Sequence, residues 1–372
     1  MKNPFITTGY VSAAYFCDRE RETEAIVSLL TNENNIALIS PRRYGKTALI
    51  RHCLQRPEIT DHYYTFLIDI YATRSLRDFV NKLGKAILDT LKPKGRKVWE
   101  HFITSLKTLS GNFTYDINGT PSWSVSLGDI ENPNVTLDEI FYYLQNADKP
   151  CIVAIDEFQQ ISKYPEENIE AIIRTHVQYC NNAAFIFSGS QRHLMGTIFT
   201  SPARPFYQSV TVMNLPLIPK DKYADFAIYH FEQAGKKIDR EVIDELYKRF
   251  DGATFYLQKV LNILFQQTPK DSMCGVEMID SAIDYIIDFT ADTYAELLYQ
   301  LPEKQKQILI AINNEGNATG ILSSAFVKKY GLTSASSVKS AVNGLLDKDF
   351  ITQEREVYKI YDLFFGIWLR SQ

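Results

Sequence analysis

The sequence lacks the features that would place it in an oxidising compartment or in a membrane. Its five cysteines are scattered over 372 residues without a C-x-x-C pair, so neither a disulfide framework nor a zinc site is predicted. No apolar run approaches the length of a membrane span, and the residues after Met1 lack the hydrophobic core of a signal peptide. We therefore expect a cytoplasmic protein without a membrane partner.

The chain also lacks a strong charge of either sign. Its formal net charge of −4 argues against a protein that coats nucleic acid along its whole length, but this charge does not exclude a local basic face. Hydrophobic residues make up 45% and charged residues 23% of the chain, which is ordinary for a globular protein. The length allows two or three domains, each with its own core.

The most informative stretch is residues 36–50. An apolar run, Ile36 to Ile39, predicts a buried strand, and the residues after Lys46 have the pattern of an amphipathic helix. A bound polyphosphate needs backbone N–H groups at a helix N-terminus, a lysine for the terminal phosphates and a hydroxyl for Mg²⁺. Gly45, Lys46 and Thr47 supply these groups in the turn between strand and helix.

This turn matches the P-loop pattern G-x-x-x-x-G-K-[ST] except that Ser40 replaces the first glycine. Arg42 and Arg43 add positive charge beside the phosphates. An ordinary strand-to-helix turn is the alternative, but the strand before it and the helix after it favour a P-loop. The predicted ATP-binding residues of the loop are Ser40, Pro41, Arg42, Arg43, Tyr44, Gly45, Lys46, Thr47 and Ala48.

A second informative stretch is residues 151–160, where an apolar run is followed at once by Asp156 and Glu157. Two carboxylates at the C-terminal end of a buried strand lie at the edge where open α/β sheets bind ligands. Asp156 is predicted to hold Mg²⁺ through water, with Thr47 as the other metal ligand. Glu157 is predicted to orient and deprotonate the water that attacks the γ-phosphate, with Lys46 as the other catalytic residue. A strand that merely ends in an acidic turn is the alternative.

Several further residues are candidates for contact with the nucleotide. A helix is predicted from a cap at Asp18 to about Asn32, and it either packs against the sheet, which we favour, or places Phe16 and Arg19 near the adenine. A third buried strand, residues 183–191, ends in polar side chains, of which Ser188, Ser190 or Gln191 would sense the γ-phosphate. Arg192 and Arg204 are candidates for an arginine finger, with a surface salt bridge as the alternative.

The pattern elsewhere predicts alternating strands and helices, then helices. Residues 64–71 and 210–215 read as strands, and residues 76–91 as a helix. Between residues 92 and 134 we predict an insertion or hairpin. The stretch begins with a basic patch at residues 92–97, which is a solvated turn or, less commonly, a partner site. From Lys220 the strands stop, and four helices are predicted, the last over residues 278–301.

Residues 302–372 read as three helices and a β hairpin, which is the pattern of a winged helix. The segment has nine Lys and Arg against seven Asp and Glu, and its presumed reading helix offers Ser334, Ser336, Ser337 and Lys339 but no arginine. Strong DNA-binding domains are more basic. Contact with duplex DNA and docking to a protein partner both stay open.

Taken together, the two motif stretches, Phe-Ser-Gly-Ser-Gln at residues 187–191 and the closing Tyr-Asp-Leu-Phe-Phe-Gly-Ile-Trp-Leu resemble the archaeal-type ATPases. These are a branch of the STAND group of P-loop NTPases, which is related to AAA+ proteins. The resemblance implies an α/β fold with a parallel sheet in the order 5-1-4-3-2, a helical lid and a C-terminal winged helix. It also implies an ATP-dependent switch that binds ATP or ADP and Mg²⁺, with Ser190 in a sensor strand. Our own hypothesis of such a switch includes a homo-oligomer as one option.

The implied domains are an ATPase domain over residues 1–218, a lid over 219–300 and a winged helix over 301–372. One departure from the family pattern concerns the lid. The Gly-x-Pro at which the lid of such ATPases meets the nucleotide reads Gly252-Ala253-Thr254 here.

Overall fold

The computed structural model describes residues 2–109 and 112–372, so residues 110 and 111 of the predicted insertion lie outside the described residues. The helices are α1 Glu20–Thr31, α2 Lys46–Leu54, α3 Pro57–Thr60, α4 Leu76–Leu91, α5 Arg96–Ser105, α6 Pro133–Asn146, α7 Ile169–Tyr179, α8 Arg192–Thr200, α9 Lys220–Gln233, α10 Arg240–Arg249, α11 Thr254–Gln267, α12 Met278–Asp288, α13 Ala291–Tyr299, α14 Glu303–Glu315, α15 Ser324–Lys329, α16 Ala335–Asp347 and α17 Leu363–Arg370. The strands are β1 Ile36–Ile39, β2 Tyr64–Asp69, β3 Phe113–Tyr115, β4 Pro121–Trp123, β5 Cys151–Asp156, β6 Ala183–Gly189, β7 Thr211–Asn214, β8 Lys237–Ile238, β9 Met273–Cys274, β10 Ile351–Glu354 and β11 Val357–Ile360.

The chain packs as two compact units. We call Ile6–Tyr223 with Ala253–Phe255 the first unit. Ala224–Gly252 and Tyr256–Gln372, with the N-terminal residues up to Phe5, form the second unit. The division into three domains at residues 218 and 300 stays a prediction.

A parallel five-stranded sheet forms the centre of the first unit. Its strand order is β2-β5-β6-β1-β7, and each neighbouring pair is parallel. Numbered along the chain without the β3–β4 hairpin, this is the predicted order 5-1-4-3-2, and the predicted fold class is confirmed. Because parallel strands end at one edge, Asp69 and Asp156 pair in register there, as Ile39 and Gly189 do.

Both faces of this sheet are covered, which explains why its central strands are continuously apolar. In β1, Ala37 and Ile39 belong to the core under α4, α6 and α7, whereas Ile36 and Leu38 belong to the core under α1, α2 and α3. Successive side chains of a strand point to opposite faces, so four apolar residues in a row fill both cores. Polar side chains such as those of Asp69 and Asp156 therefore occur at the ends of the strands.

The predicted insertion contains α5 and the β3–β4 hairpin. The indole of Trp123 lies over Gly84 of α4, and its Nε1 donates to Oδ1 of Asn81 at 3.2 Å. Asn81 in turn donates to the carbonyl of Val125 at 3.1 Å. The hairpin therefore contacts α4 through Trp123, and the segment that follows it contacts α4 through Val125.

The second unit contains α10, α12 to α17 and most of α9 and α11, and it ends in a winged helix. Its last elements are α14, α15 and α16, the antiparallel β10–β11 wing and α17. The helix α17 starts at a strong cap, where Asp362 Oδ1 accepts from the N–H groups of Phe364 and Phe365. Its buried face includes Phe365 and Trp368, which pack on α13 through Tyr294.

Three expectations about elements were wrong. The helix α1 begins at Glu20, and its N-cap is Arg19, in the left-handed region with no side-chain capping hydrogen bond, rather than Asp18. The predicted helix over residues 278–301 is two helices, α12 and α13, which separate at Thr290. A short parallel pair, β8–β9, lies where only helices were predicted. The helices α3, α5, α8 and α17 were not predicted.

Among the residues that the structure describes, no helix combines the length and the apolar character that crossing a bilayer requires.

Candidate functional site

The predicted P-loop connects the end of β1 with the start of α2. Gly45 is the N-cap of α2 with φ +85°, a conformation that costs little only for glycine. Ser40, at the position of the missing glycine, is fully buried and does not adopt positive φ. Its N–H donates to the carbonyl of Gly189 at 3.3 Å, so the start of the loop is held to the neighbouring strand. Pro41, Tyr44 and Ala48 complete the loop and the first turn of α2.

Two arginines of the loop pack on aromatic rings of the first unit. The guanidinium of Arg42 lies 5.1 Å from the ring centroid of Tyr71, and that of Arg43 lies 4.9 Å from the ring centroid of Phe255. The N–H of Phe255 also donates to the carbonyl of Arg43 at 3.1 Å. Phe255, the residue after the segment that replaces the Gly-x-Pro of the family pattern, therefore contacts the P-loop.

Lys46 and Asp156, which are far apart in sequence, lie side by side. The Nζ of Lys46 is 2.9 Å from Oδ1 of Asp156 and 3.4 Å from Oε1 of Glu157. The hydroxyl of Thr47 donates to Oδ2 of Asp156 at 2.5 Å. The sheet explains this meeting, because β1 and β5 both end at the edge where α2 begins.

Asp156 is buried and remains ionised because it is well hydrogen bonded. Burial alone would raise the pKa of its carboxyl. The Lys46 ammonium and hydrogen bonds from Ser188, Thr47 and Lys46 outweigh burial and hold that pKa below its usual value of 3.8. The Ser188 hydroxyl lies 2.6 Å from Oδ1. The site thus keeps a negative charge beside the lysine at neutral pH.

Glu157 follows the strand in a left-handed conformation, with φ 57°. This conformation turns its side chain along the sheet edge toward the end of β6. Its Oε2 accepts from the Ser190 hydroxyl at 2.6 Å and from Nε2 of Gln159 at 2.5 Å. Ser190, which was predicted as a sensor, therefore touches the carboxylate that was predicted as the general base.

Gln159 is the site residue that the sequence did not single out. It lies only two residues after Glu157 and is buried. A glutamine after an acidic strand end carries no chemical signature, because its role depends on the turn that brings its amide back to Glu157. Only the burial of the Gln159 amide would have marked this residue as part of the site, and the sequence pattern does not predict that burial.

Three of the remaining candidate residues have contacts of their own. Phe16 stacks on His52 of α2 with ring centroids 4.4 Å apart. Arg19 is buried and pairs with Glu22 at 2.9 Å. Arg204 pairs with Glu170 of α7 at 2.5 Å, whereas Arg192 is the exposed first residue of α8. The structure therefore brings Lys46, Thr47, Asp156, Glu157 and Ser190 together, and the roles of Phe16, Arg19, Arg192 and Arg204 stay predictions.

The donor set fits a magnesium ion that is shared with a phosphate. The Thr47 hydroxyl and the Asp156 carboxylate are hard oxygen ligands that meet at 2.5 Å. Within residues 2–109 and 112–372, no group of three or more His, Cys, Asp or Glu side chains is arranged to hold a metal ion by itself. Magnesium in phosphate-transfer sites usually takes one or two protein ligands and completes its shell with phosphate and water. Thr47 and Asp156 would be those ligands here.

Two family models match the chain. One, described as "ATPase domain predominantly from Archaea", matches residues 16–274. The other, described as "Probable winged helix domain", matches residues 292–371. The two matches follow each other along the chain in the order of the predicted ATPase and winged-helix parts.

One curated relative is described as an uncharacterized ATP-binding protein of Methanocaldococcus jannaschii. It is 29% identical to this chain over 162 residues. The matched stretch covers 41% of this chain and 45% of the relative, so it spans less than half the length of that protein. The description of this relative supports ATP binding and names no reaction, partner or cellular role.

The fold is similar to several solved structures. A Walker-type ATPase of Pyrococcus abyssi has a TM-score of 0.60 at 20% identity, covering 99% of both chains. The ORC2 protein of Aeropyrum pernix has a TM-score of 0.56 at 13% identity, covering 100% of this chain and 98% of the other. The ORC1 protein of the same organism, solved in complex with DNA, has a TM-score of 0.54 at 13% identity, covering 96% and 93%. These identities are low, so the similarities establish the fold alone.

Proposed function

Because this chain belongs to the family of ATPase domains found predominantly in Archaea, we propose that it is an ATP-driven molecular switch that hydrolyses ATP slowly. Its nucleotide state would control the arrangement of the lid and the winged helix. One observation carries this proposal: a lysine, a hydroxyl and two carboxylates converge where β1, β5 and α2 meet.

Each of these groups has a role in the proposed reaction. The N–H groups of the loop and the Nζ of Lys46 bind the β- and γ-phosphates of ATP. A bound Mg²⁺ would neutralise charge that develops on the phosphate oxygens, and Thr47 and Asp156 would hold it. Glu157 takes a proton from water, the water oxygen bonds to the γ-phosphorus, and the bond from that phosphorus to the β–γ bridging oxygen breaks. ADP and phosphate are the products.

The test is a Glu157→Gln variant, which keeps the shape of the side chain but cannot accept the proton. We expect ATP binding to be retained and turnover to fall by about 100-fold or more, because a general base contributes on that order. Glu167→Gln is the matched control, since Glu167 is an exposed glutamate ten residues along the chain. Turnover that is equal in both variants would remove Glu157 from its role.

A second candidate function is an ATP-dependent regulator that binds duplex DNA through the winged helix. The observation that favours it is the outer face of α16, where Ser336, Lys339, Ser340 and Asn343 are exposed at helical spacing. Hydroxyl, amide and ammonium groups on a helix of this fold are suited to base edges and phosphates. The opposite face of α16, with Val338, Val342 and Leu345, is buried in the domain.

This candidate predicts DNA binding that weakens with salt. Replacing Lys339 and Lys348 with alanine should weaken binding and flatten the slope of log K against log salt by about one per lost phosphate contact. Lys163→Ala, an exposed lysine of the first unit, is the control. Absence of binding to duplex DNA at low salt would exclude this function and favour a winged helix that docks to protein.

A further inference from the structure

The side chain of Glu157, which directly follows β5, has three polar contacts. Its Oε2 accepts from Ser190 Oγ at 2.6 Å and from Gln159 Nε2 at 2.5 Å, while Oε1 lies 3.4 Å from Nζ of Lys46. Two short contacts therefore occupy Oε2, whereas Oε1 has one long contact. The two oxygens of the carboxylate are not equivalent.

The orientation of both donors follows from their chemistry. An ionised carboxylate only accepts, so Ser190 must donate its single hydroxyl proton to Glu157. The Nε of Arg42 then donates to the Ser190 oxygen at 3.2 Å. Gln159 must likewise present its NH₂ group, since its oxygen would repel the carboxylate. The P-loop is thus connected to Glu157 through Arg42 and Ser190.

Gln159 is fixed by its surroundings and not only by this bond. Only 3% of its surface is exposed. A Cβ built at Gly189, at the end of β6, would lie 2.5 Å from Oε1 of Gln159 and 2.3 Å from Sδ of Met195. A residue larger than glycine at that position would displace the Gln159 amide. The end of β6 therefore leaves room for Gln159 and supplies Ser190 as its neighbour.

We propose that Gln159 is a positioning residue for the hydrolysis described above: with Ser190 it anchors Oε2 of Glu157, so that Oε1 is the oxygen that takes the proton from water. This inference rests on the proposed role of Glu157. Gln159 itself does not touch ATP in this scheme. It acts by fixing the direction in which Glu157 presents Oε1 to the water, and misplacement of a catalytic group by about 1 Å can slow a reaction about 100-fold.

The first test is a Gln159→Met variant of the full chain, which keeps the length of the side chain and removes the donor. We expect kcat to fall about ten-fold, the size expected for one hydrogen bond to a charged group, while KM and the Kd for ATP stay within about two-fold. Gln160→Met is the matched control. Gln160 is the next residue and donates to the carbonyl of Thr73 at 2.9 Å, so its loss should leave kcat unchanged within about two-fold.

The second test places the same change in the Glu157→Gln background. If Gln159 acts through Glu157, Gln159→Met should cause no further loss there, because the coupled residues are not additive. Ser190→Ala should lower kcat as Gln159→Met does, and Ser190→Thr, which keeps the hydroxyl, should restore it. A purely structural role would lower kcat and ATP affinity together in both backgrounds.

Three results would overturn the inference. They are an unchanged or increased kcat for Gln159→Met, an equal loss in the Glu157→Gln background, and a loss of ATP affinity that matches the loss of kcat. Any of these leaves the proposed hydrolysis standing as long as Glu157→Gln is itself impaired. If Glu157→Gln turns over normally, the proposed function fails first, so the two failures are distinguishable.

Discussion

Two buried carboxylates of the first unit differ in what surrounds them. Asp156 has an ammonium and three hydrogen bonds, and its pKa is lowered despite burial. Glu170 of α7 has the Arg204 guanidinium on Oε1, and no group in the described part of the chain hydrogen bonds to its Oε2. Burial therefore raises the pKa of Glu170 above its usual value of 4.5, against the opposing effect of Arg204. The number of partners, rather than burial itself, decides the direction.

This difference predicts a pH-dependent stability effect for Glu170→Gln. A carboxyl whose pKa is raised by folding stabilises the folded state below its unfolded pKa, and this contribution is lost as pH rises through the folded pKa. Relative to the glutamine variant, the wild type should therefore lose thermal stability as the pH is raised from below 4.5. Melting temperatures of both proteins, measured over a pH series, check this.

Glu167→Gln is the control for that series, since Glu167 is exposed at the start of the same segment. The difference in melting temperature between Glu167→Gln and the wild type should vary little with pH. The melting-temperature difference between wild type and Glu170→Gln could instead stay constant, or grow in favour of the wild type with rising pH. Either result would show that Arg204 fully offsets the effect of burial on the Glu170 carboxyl.

At the scale of elements, we expect replacement of two helix glycines by alanine to have opposite effects on stability. A Cβ at Gly84 of α4 would lie 2.2 Å from Cη2 of Trp123, whereas a Cβ at Gly196 of α8 would have no atom of the described residues within 4 Å. Gly196→Ala should stabilise the fold by about 0.5–1 kcal/mol, because alanine is the better helix former. Gly84→Ala should destabilise it by about 1–2 kcal/mol net, because overpacking exceeds that gain.

Denaturant unfolding of the two variants measures both effects, and each serves as the control for the other. Displacement of Trp123 should also shift the tryptophan emission of Gly84→Ala to longer wavelength at low denaturant. If Gly84→Ala were as stable as Gly196→Ala, the hairpin β3–β4 would not be held by the contact between Trp123 and α4.

The elements that position the site were predictable because each has a local pattern. Apolar runs that end in polar residues defined β1, β5 and β6, and the strand order followed from the resemblance. The break between α12 and α13 was not predictable, since residues 278–301 contain neither glycine nor proline and their apolar spacing continues across it. The contact of Gln159 with Glu157 was also hidden, because it depends on the left-handed turn at Glu157 rather than on a residue pattern.

At the scale of the whole molecule, the proposed switch requires ATP and ADP to favour different arrangements of the two units. The chain offers a clean way to measure this, because all five cysteines are buried. Burial raises the pKa of the Cys53 and Cys180 thiols to about 12, so these thiols stay protonated and unreactive at neutral pH. A label that reacts with thiolates will therefore select cysteines introduced at exposed positions.

Glu167→Cys in the first unit and Asp347→Cys at the end of α16 give one such labelled pair, since both positions are exposed. In the Glu157→Gln background, which is expected to hold ATP without turnover, the distance distribution between spin labels should differ between ATP and ADP. A pair within the first unit, Glu24→Cys with Glu167→Cys, should give the same distribution with both nucleotides. If the first pair is equally insensitive while both nucleotides bind, they do not discriminate between arrangements of the units, and a ligand without differential affinity cannot drive a switch.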